Sequence, residues 1–501
     1  MTEERLPEEP SAASLHMSPD EFRARGHQVI DWIADYYSRI ESFPVLSRAT
    51  PGELRAALPA EPPEAGEGWD SLLTDLDRLI LPGITHWQHP SFFAFFPASA
   101  TGPAILGDLL ASGLGVQGML WATSPAATEL ETHMLDWLNR LLGLPEEFRS
   151  DGAGGGVIQH SASDASLVAL LAALHRVSGG ATETAGVAAG RYTVYTSGQT
   201  HSSVEKACRI AGIGSAALRK LDVDPVTQAA RPEHLAELLA ADLADGYTPA
   251  LVVASVGTTG TGAIDPVAEL AELTHTYGAW LHVDAAWAGV AAVCPELRWI
   301  NDGVRQADSY CTNPHKWLLT NFDCTAFWVA DRSALIGALS ILPEYLRNAA
   351  TESGEVFDYR DWQVPLGRRF RALKLWAVLR WYGAEGLRTH IRRHVQLADE
   401  FASWLAADDR FELLTPHPLA LVTFALAEGD QATRALLQAI NASGQAYLTH
   451  TAVNGRYAIR LAIGAVLTER RHVEAVWRLL EKLAAPAGHQ PGQRGNSDRV
   501  G

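Results

Sequence analysis

The sequence predicts an α/β fold, and three observations carry that reading. Between about Gly102 and Lys374, helix-period and strand-period patterns alternate along the chain, which is the mark of a sheet covered by helices. Within that region the apolar run Trp280-Leu281-His282-Val283 ends in a carboxylate, Asp284. Open α/β sheets bind their ligands beyond the carboxyl ends of such strands. A further strand pattern, Ala307 to Cys311, leads into Asn313-Pro314-His315-Lys316-Trp317. Lysine is rarely buried without a partner or a chemical task.

Length and composition set the frame. The chain has 501 residues, 47% of them hydrophobic and 20% charged. That is globular composition in a chain long enough for more than one core. The net charge of -18 disfavours nucleic acid or an anionic membrane as a partner. No apolar run approaches the length of a bilayer span. The acidic N-terminus lacks the basic-then-apolar pattern of a signal peptide. Cys208, Cys294, Cys311 and Cys324 show no CxxC or metal spacing, so a cytoplasmic protein with reduced core cysteines is expected, with no metal.

Taken in order, residues 1–17 are polar and expected to be disordered. Ser18-Pro19-Asp20-Glu21 is a helix start, with a serine cap, a proline at the first helical position and a glutamate three after the cap. Phe22, Val29, Ile33 and Tyr37 mark its apolar face. A Pro-rich connection and a short helix near Trp69 to Ile80 lead to an aromatic run, His86 to Pro97. That run suits either core packing or the wall of an aromatic pocket. Residues 18–101 are too few and too open to stand alone. A helix opens at Ser124-Pro125, with Leu130, Met134, Leu138 and Leu141 on one face. The glycines and hydroxyl residues of Gly154 to Ser163 precede an Ala/Leu helix, the composition of a phosphate cradle. Strands are expected at Arg191 to Ser197, Ala250 to Val256 and Cys324 to Ala330. Ile341 to Asp358 reads as a loop long enough to act as a lid. Residues 375–485 form a smaller C-terminal domain, and 486–501 a polar tail.

An Asp at one strand end and a Lys at a later one suit pyridoxal phosphate (PLP). The carboxylate would keep the pyridine nitrogen protonated and the amine would hold the aldehyde. Each feature alone has a plainer alternative. The lysine could be snorkelling, the aspartate could cap a helix, and the glycine run could be a turn.

The order of the features decides between these. His282-Val283-Asp284-Ala285-Ala286-Trp287-Ala288-Gly289 followed by Asn313-Pro314-His315-Lys316-Trp317 resembles the PLP-dependent group II amino-acid decarboxylases, and within them the aromatic-L-amino-acid decarboxylases. Similar blocks run in order from about Ser18 to about Leu483. They include Ser124 through Trp137, Gly154 to Ser163, His201 to Lys206, and Trp362 to Arg371.

The resemblance implies fold-type I of the PLP enzymes. This comprises a mostly parallel seven-stranded large domain (102–374), the C-terminal α/β domain, and an N-terminal helical segment (18–101) exchanged in a homodimer. It implies that Ser161, Ala162, Ser163 and Asn313 contact the cofactor phosphate and that His201 stacks on the ring. Thr259, Asp284, Ala286, His315 and Lys316 complete the cofactor site. It makes Lys316, Tyr345, His201 and Asp284 the catalytic residues, with Tyr345 the proton donor on the lid. It lines the substrate pocket with Trp87, Phe95, Phe96, Pro97, Ala98, Met119 and Gly367. Apolar residues at Phe95 and Ala98, together with Gly367, favour tryptophan and phenylalanine over dopa. An aldehyde synthase of the same fold is the alternative, linked in plant members to Phe at the position of Tyr345. A decarboxylase of a non-aromatic amino acid is a further alternative, against which the aromatic run argues.

Overall fold

The computed structural model describes residues 16–341 and 356–484; Tyr345, with most of the expected lid, lies outside the described residues. The chain forms two compact units, Met1–His89 and Pro90–Gly501. The stretch 90–101, read from the sequence with the N-terminal segment, packs within the larger unit. The Phe93 amide donates to the Tyr447 carbonyl at 2.9 Å and the Ser99 amide to the His315 carbonyl at 3.0 Å. The aromatic run is therefore divided, with Trp87 in the smaller unit and Phe92 to Phe96 in the larger.

In the smaller unit the helix Pro19–Ser38 begins where the sequence places it, and Ser18 Oγ accepts from the Glu21 amide at 3.2 Å. No residue of this helix is buried. Its ring of contact is aromatic, with Tyr36 Oη 3.0 Å from His86 Nδ1.

The larger unit is built on a seven-stranded sheet. Its strands are β1 (Gly155–Gln159), β2 (Tyr192–Ser197), β3 (Leu218–Leu221), β4 (Thr248–Ser255), β5 (Trp280–Asp284), β6 (Ser309–Thr312) and β7 (Thr325–Val329). The order is β1-β7-β6-β5-β4-β2-β3. The run from β6 to β3 is parallel, and β7 is antiparallel to both of its neighbours. Strands β5, β6 and β7 are buried along their whole length. That burial explains why they read as near-continuous apolar runs rather than alternating ones. The helix Pro125–Leu142 is capped by Ser124, as expected, but its buried side runs through Glu131, Met134, Leu135, Leu138 and Leu142. Leu130 and Leu141 pack at the edge of that stripe. The long helix Ala372–Ala406 leads to a second, antiparallel sheet. This comprises β8 (Phe411–Leu413), β9 (Leu421–Leu426), β10 (Thr449–Val453) and β11 (Arg456–Ala462), in the order β10-β11-β9-β8.

The glycine run has a different role from the one its composition suggests. Gly155 and Gly156 lie in β1, and a Cβ on Gly154 would stand 2.0 Å from the Glu147 carbonyl oxygen. A Cβ on Gly156 would meet the Trp328 ring at 2.7 Å. These glycines let β1 approach its neighbours, and the helix that follows from Ser161 begins with free amides of the kind suited to an anion. All four cysteines are buried and free. No single helix among the described residues is long and apolar enough to cross a membrane.

Candidate active site

The carboxyl ends of β5 and β6 and the N-terminus of the helix Ala162–Ser178 meet at a cavity of about 230 Å³. It gathers Phe96, Ser161, Ala162, Ser163, His201, Thr259, Asp284, Ala286, Asn313, His315 and Lys316. Ser161 caps the helix, its Oγ accepting from the Asp164 amide at 3.2 Å. The first free amides of that helix, at Ala162 and Ser163, form an N-terminus suited to an anion.

Asp284 ends β5 and is 8% exposed. Its Oδ1 accepts from the Ala286 amide at 3.1 Å. Lys316 lies on a single helical turn, Pro314–Trp317, directly after β6. Its Nζ stands 5.4 Å from the centre of the Phe96 ring. Burial lowers its pKa below the ordinary lysine value, and Arg460 adds to the effect against the opposing Asp284. A lower pKa raises the share of neutral, nucleophilic amine. His315 is buried, with Nδ1 accepting from the Cys324 amide at 3.0 Å, and burial pushes its pKa down to about 3.

His201 stands open at the cavity, and its Nδ1 accepts from the Ser203 amide at 3.1 Å. Desolvation by the surrounding protein lowers its pKa despite Asp284. The neutral ring therefore carries its proton on Nε2. Thr259 belongs to a turn in which the Gly257 amide returns to the Ala263 carbonyl at 2.9 Å.

Trp287, which lines this cavity, and Arg460, which lines the adjoining one, were not evident in the sequence. Trp287 stacks on Phe96 at 4.4 Å and 14°, and on Trp317 at 5.2 Å and 18°. This forms an aromatic column under the lysine segment. Arg460, in β11, is 3% exposed. It donates to the carbonyls of Gly260 and Phe95, each at 3.2 Å, and to Thr449 Oγ1 at 2.9 Å. Burial lowers its pKa to about 10. A buried arginine on an apolar strand gives no pattern that separates it from a surface one. Of the three arginines in residues 367–371, two sit in buried ion pairs. Arg368 pairs with Glu131 at 2.6 Å and Arg371 with Asp323 at 3.0 Å, and both are buried.

The remaining pocket residues are placed elsewhere. Phe95, with φ of 49°, lines an adjoining cavity of about 570 Å³. Pro97 packs on Gly464. Met119 and Gly367 do not line the cofactor cavity. The Met119 carbonyl accepts from the Arg360 amide at 3.0 Å, and a Cβ on Gly367 would meet Gln117 at 3.5 Å. Ala98 is half-buried beside Ser99 and does not line the cavity either. Trp87 belongs to the smaller unit.

An anion-binding helix start, a carboxylate and a lysine of lowered pKa in one cavity match the phosphate, ring nitrogen and aldehyde of PLP. Residues 51–427 match the pyridoxal-dependent decarboxylase conserved domain. The chain belongs to this family. Its cofactor is pyridoxal 5'-phosphate. The enzyme is 48% identical to a phenylacetaldehyde synthase of Arabidopsis thaliana over 482 residues, 95% of this chain and 98% of the relative. It is 46% identical to tryptophan decarboxylase 2 of Oryza sativa subsp. japonica over 477 residues, 93% and 95% of the two chains. A crystal structure of Oryza sativa TDC with PLP and tryptamine superposes with a TM-score of 0.91 at 43% identity, covering 93% of this chain and 98% of that one.

Proposed function

We propose that the enzyme removes the carboxylate of aromatic L-amino acids, tryptophan and phenylalanine ahead of dopa, to give the arylalkylamine and CO₂. The observation that carries this is one cavity holding Lys316, Asp284 and the Ser161 helix start against the Phe96–Trp287 stack. PLP, when bound, supplies the sink for the electron pair that CO₂ leaves behind. Ser161, Ala162, Ser163 and Asn313 bind the phosphate. Asp284 would hold a proton on the ring nitrogen of the bound cofactor, and Lys316 would be the amine for its aldehyde. His201 would lie against the bound ring, with its Nε2 available to the substrate carboxylate. Thr259, Ala286 and His315 shape the cofactor cavity. Tyr345 returns a proton to Cα. An apolar wall gains from a large ring and separates one aromatic from another by only about 1–3 kcal/mol, so tryptophan and phenylalanine are both substrates.

The working form is a homodimer in the cytoplasm. Leu106, Leu109, Leu110 and Leu114 form an exposed apolar stripe on the helix Gly102–Leu114, and such stripes mark interfaces. Met119 and Gly367 lie outside the cofactor cavity of their own chain, which suits a substrate wall completed by a second subunit. Four buried free cysteines suit a reducing compartment.

The similarity to a phenylacetaldehyde synthase supports a second reading, oxidative release of an aldehyde, against which the tyrosine at position 345 argues. The deciding experiment measures amine, aldehyde, peroxide and CO₂ from tryptophan, phenylalanine, tyrosine and dopa in air. Amine equal to CO₂, lost in Lys316→Ala, is the expected result. Aldehyde and peroxide as main products select the second reading.

A further inference from the structure

A buried chain of polar side chains ends on Asp284. In the parallel pair of β5 and β6, His282 lies opposite Ser309 and Asp284 opposite Cys311. Residues two apart share a face of a strand. Trp280, His282 and Asp284 therefore stand on the same side as Ser309 and Cys311. The Trp280 indole N–H donates to Ser309 Oγ at 2.8 Å, and that oxygen lies 2.9 Å from His282 Nδ1. His282 Nε2 lies 3.8 Å from Cys311 Sγ, which donates to Asp284 Oδ1 at 3.7 Å. His282, Ser309 and Cys311 have no exposed surface, and Trp280 has 1%.

The two ends set the direction of the first and the last hydrogen bond. An indole N–H only donates and an ionised carboxylate only accepts. Ser309 takes the indole proton as acceptor, which leaves its own hydrogen available to His282 Nδ1. Burial pushes the His282 pKa down to about 4, so the ring is neutral, and with Nδ1 accepting from Ser309 its proton sits on Nε2, facing sulfur. Burial raises the Cys311 thiol well above its ordinary value, which keeps it a donor. Oδ1 of Asp284 thus takes two donors, the Cys311 thiol and the Ala286 amide. Oδ2 takes none from the described residues and is left to the cavity that Asp284 lines.

We propose that Cys311 is a positioning residue for decarboxylation. Its thiol, backed by His282, Ser309 and Trp280, holds Oδ1 of Asp284 and turns Oδ2 toward the cofactor nitrogen. A carboxylate that has lost a donor is a stronger base, so the proton shared with the ring nitrogen moves toward Asp284. The ring then loses its charge and with it part of its electron demand. This inference rests on Asp284 being the partner of the ring nitrogen.

The test uses the full-length holoenzyme reconstituted with PLP labelled with ¹⁵N in the ring, and reads the nitrogen resonance and the cofactor dissociation constant. In Cys311→Ala and the similarly sized Cys311→Val, the resonance moves toward the unprotonated position. The cofactor then binds about fivefold more weakly, the loss of one weak hydrogen bond to a charged group. Cys311→Ser, which keeps a donor, restores both. Wild-type resonances in the Ala and Val variants overturn the proposal, as does a Ser variant that behaves like Ala. Asp284→Ala is the control. If it leaves the resonance unmoved, the pairing of Asp284 with the ring is wrong, whereas a shift there without one in Cys311→Ala removes Cys311 alone. A second measurement needs no donorless variant. The S–H stretching band lost in Cys311→Ser moves to higher frequency in Asp284→Asn, and an unmoved band rejects the hydrogen bond.

Discussion

Lys316 and Asp284 were legible in the sequence for a physical reason. Each is a charged residue set directly after an apolar strand, where chain leaving a sheet must face a cleft. Arg460, Trp287 and Cys311 were not legible, because each sits inside an apolar segment and reads as core. Trp287 and Cys311 are fully packed, and only the register of β5 on β6 brings Cys311 to Asp284. Tyr345 was singled out by resemblance, and its test is chemical. The electron pair left by CO₂ can take a proton at Cα or pass to O₂, which gives aldehyde, ammonia and peroxide. Tyr345→Phe keeps the ring and removes the acid. CO₂ release continues in the variant while the amine yield falls by about tenfold or more, within the range of general acid catalysis, and aldehyde takes its place. Undiminished amine from Tyr345→Phe, with CO₂ counted separately, assigns the proton to another group.

At the level of elements, β1 shows how packing and function can share one stretch. Its glycines carry the edge of the sheet close to Trp328 and to the Glu147 carbonyl, and the strand then delivers Ser161 to the start of its helix. Gly154→Ala forces backbone apart, because the new Cβ would stand 2.0 Å from a carbonyl oxygen. The expected cost is about 1–3 kcal/mol or more, read by urea unfolding, with weaker PLP binding as the helix start shifts. A variant as stable as the parent, with unchanged cofactor affinity, shows that β1 is free to move. The strands β2, β4, β5, β6 and β7 were legible because burial on both faces makes long apolar runs. Strand β3, Leu218–Leu221, was missed since its first three residues are only partly buried or exposed. Short β8 was missed for a similar reason, with two of its three residues only partly buried.

For the whole molecule, two properties follow from what is exposed and what is buried. The stripe of Leu106, Leu109, Leu110 and Leu114 is the surface on which association is tested. Leu110→Asp lowers the measured mass in sedimentation from two chains to one, and a variant that remains dimeric moves the interface elsewhere. The second property is acid sensitivity. His282, His315 and His394 are buried, and burial holds the pKa of His282 at about 4, of His315 at about 3 and of His394 well below the ordinary value. Unfolded histidine binds a proton near pH 6.5, so between that pH and the folded pKa the unfolded chain carries more protons. Stability is therefore full above pH 6.5 and is lost as the pH falls, levelling only near pH 3–4. His282 and His315 each contribute about 1.5 kcal/mol of loss between pH 6.5 and 5. Urea unfolding at pH 7 and pH 5 measures the difference. His394 accepts the Trp317 indole N–H at 3.0 Å, and His394→Gln keeps an acceptor there without a titrating ring. The variant loses less stability than the parent over the same interval. Equal losses in the two proteins place the acid sensitivity in other groups.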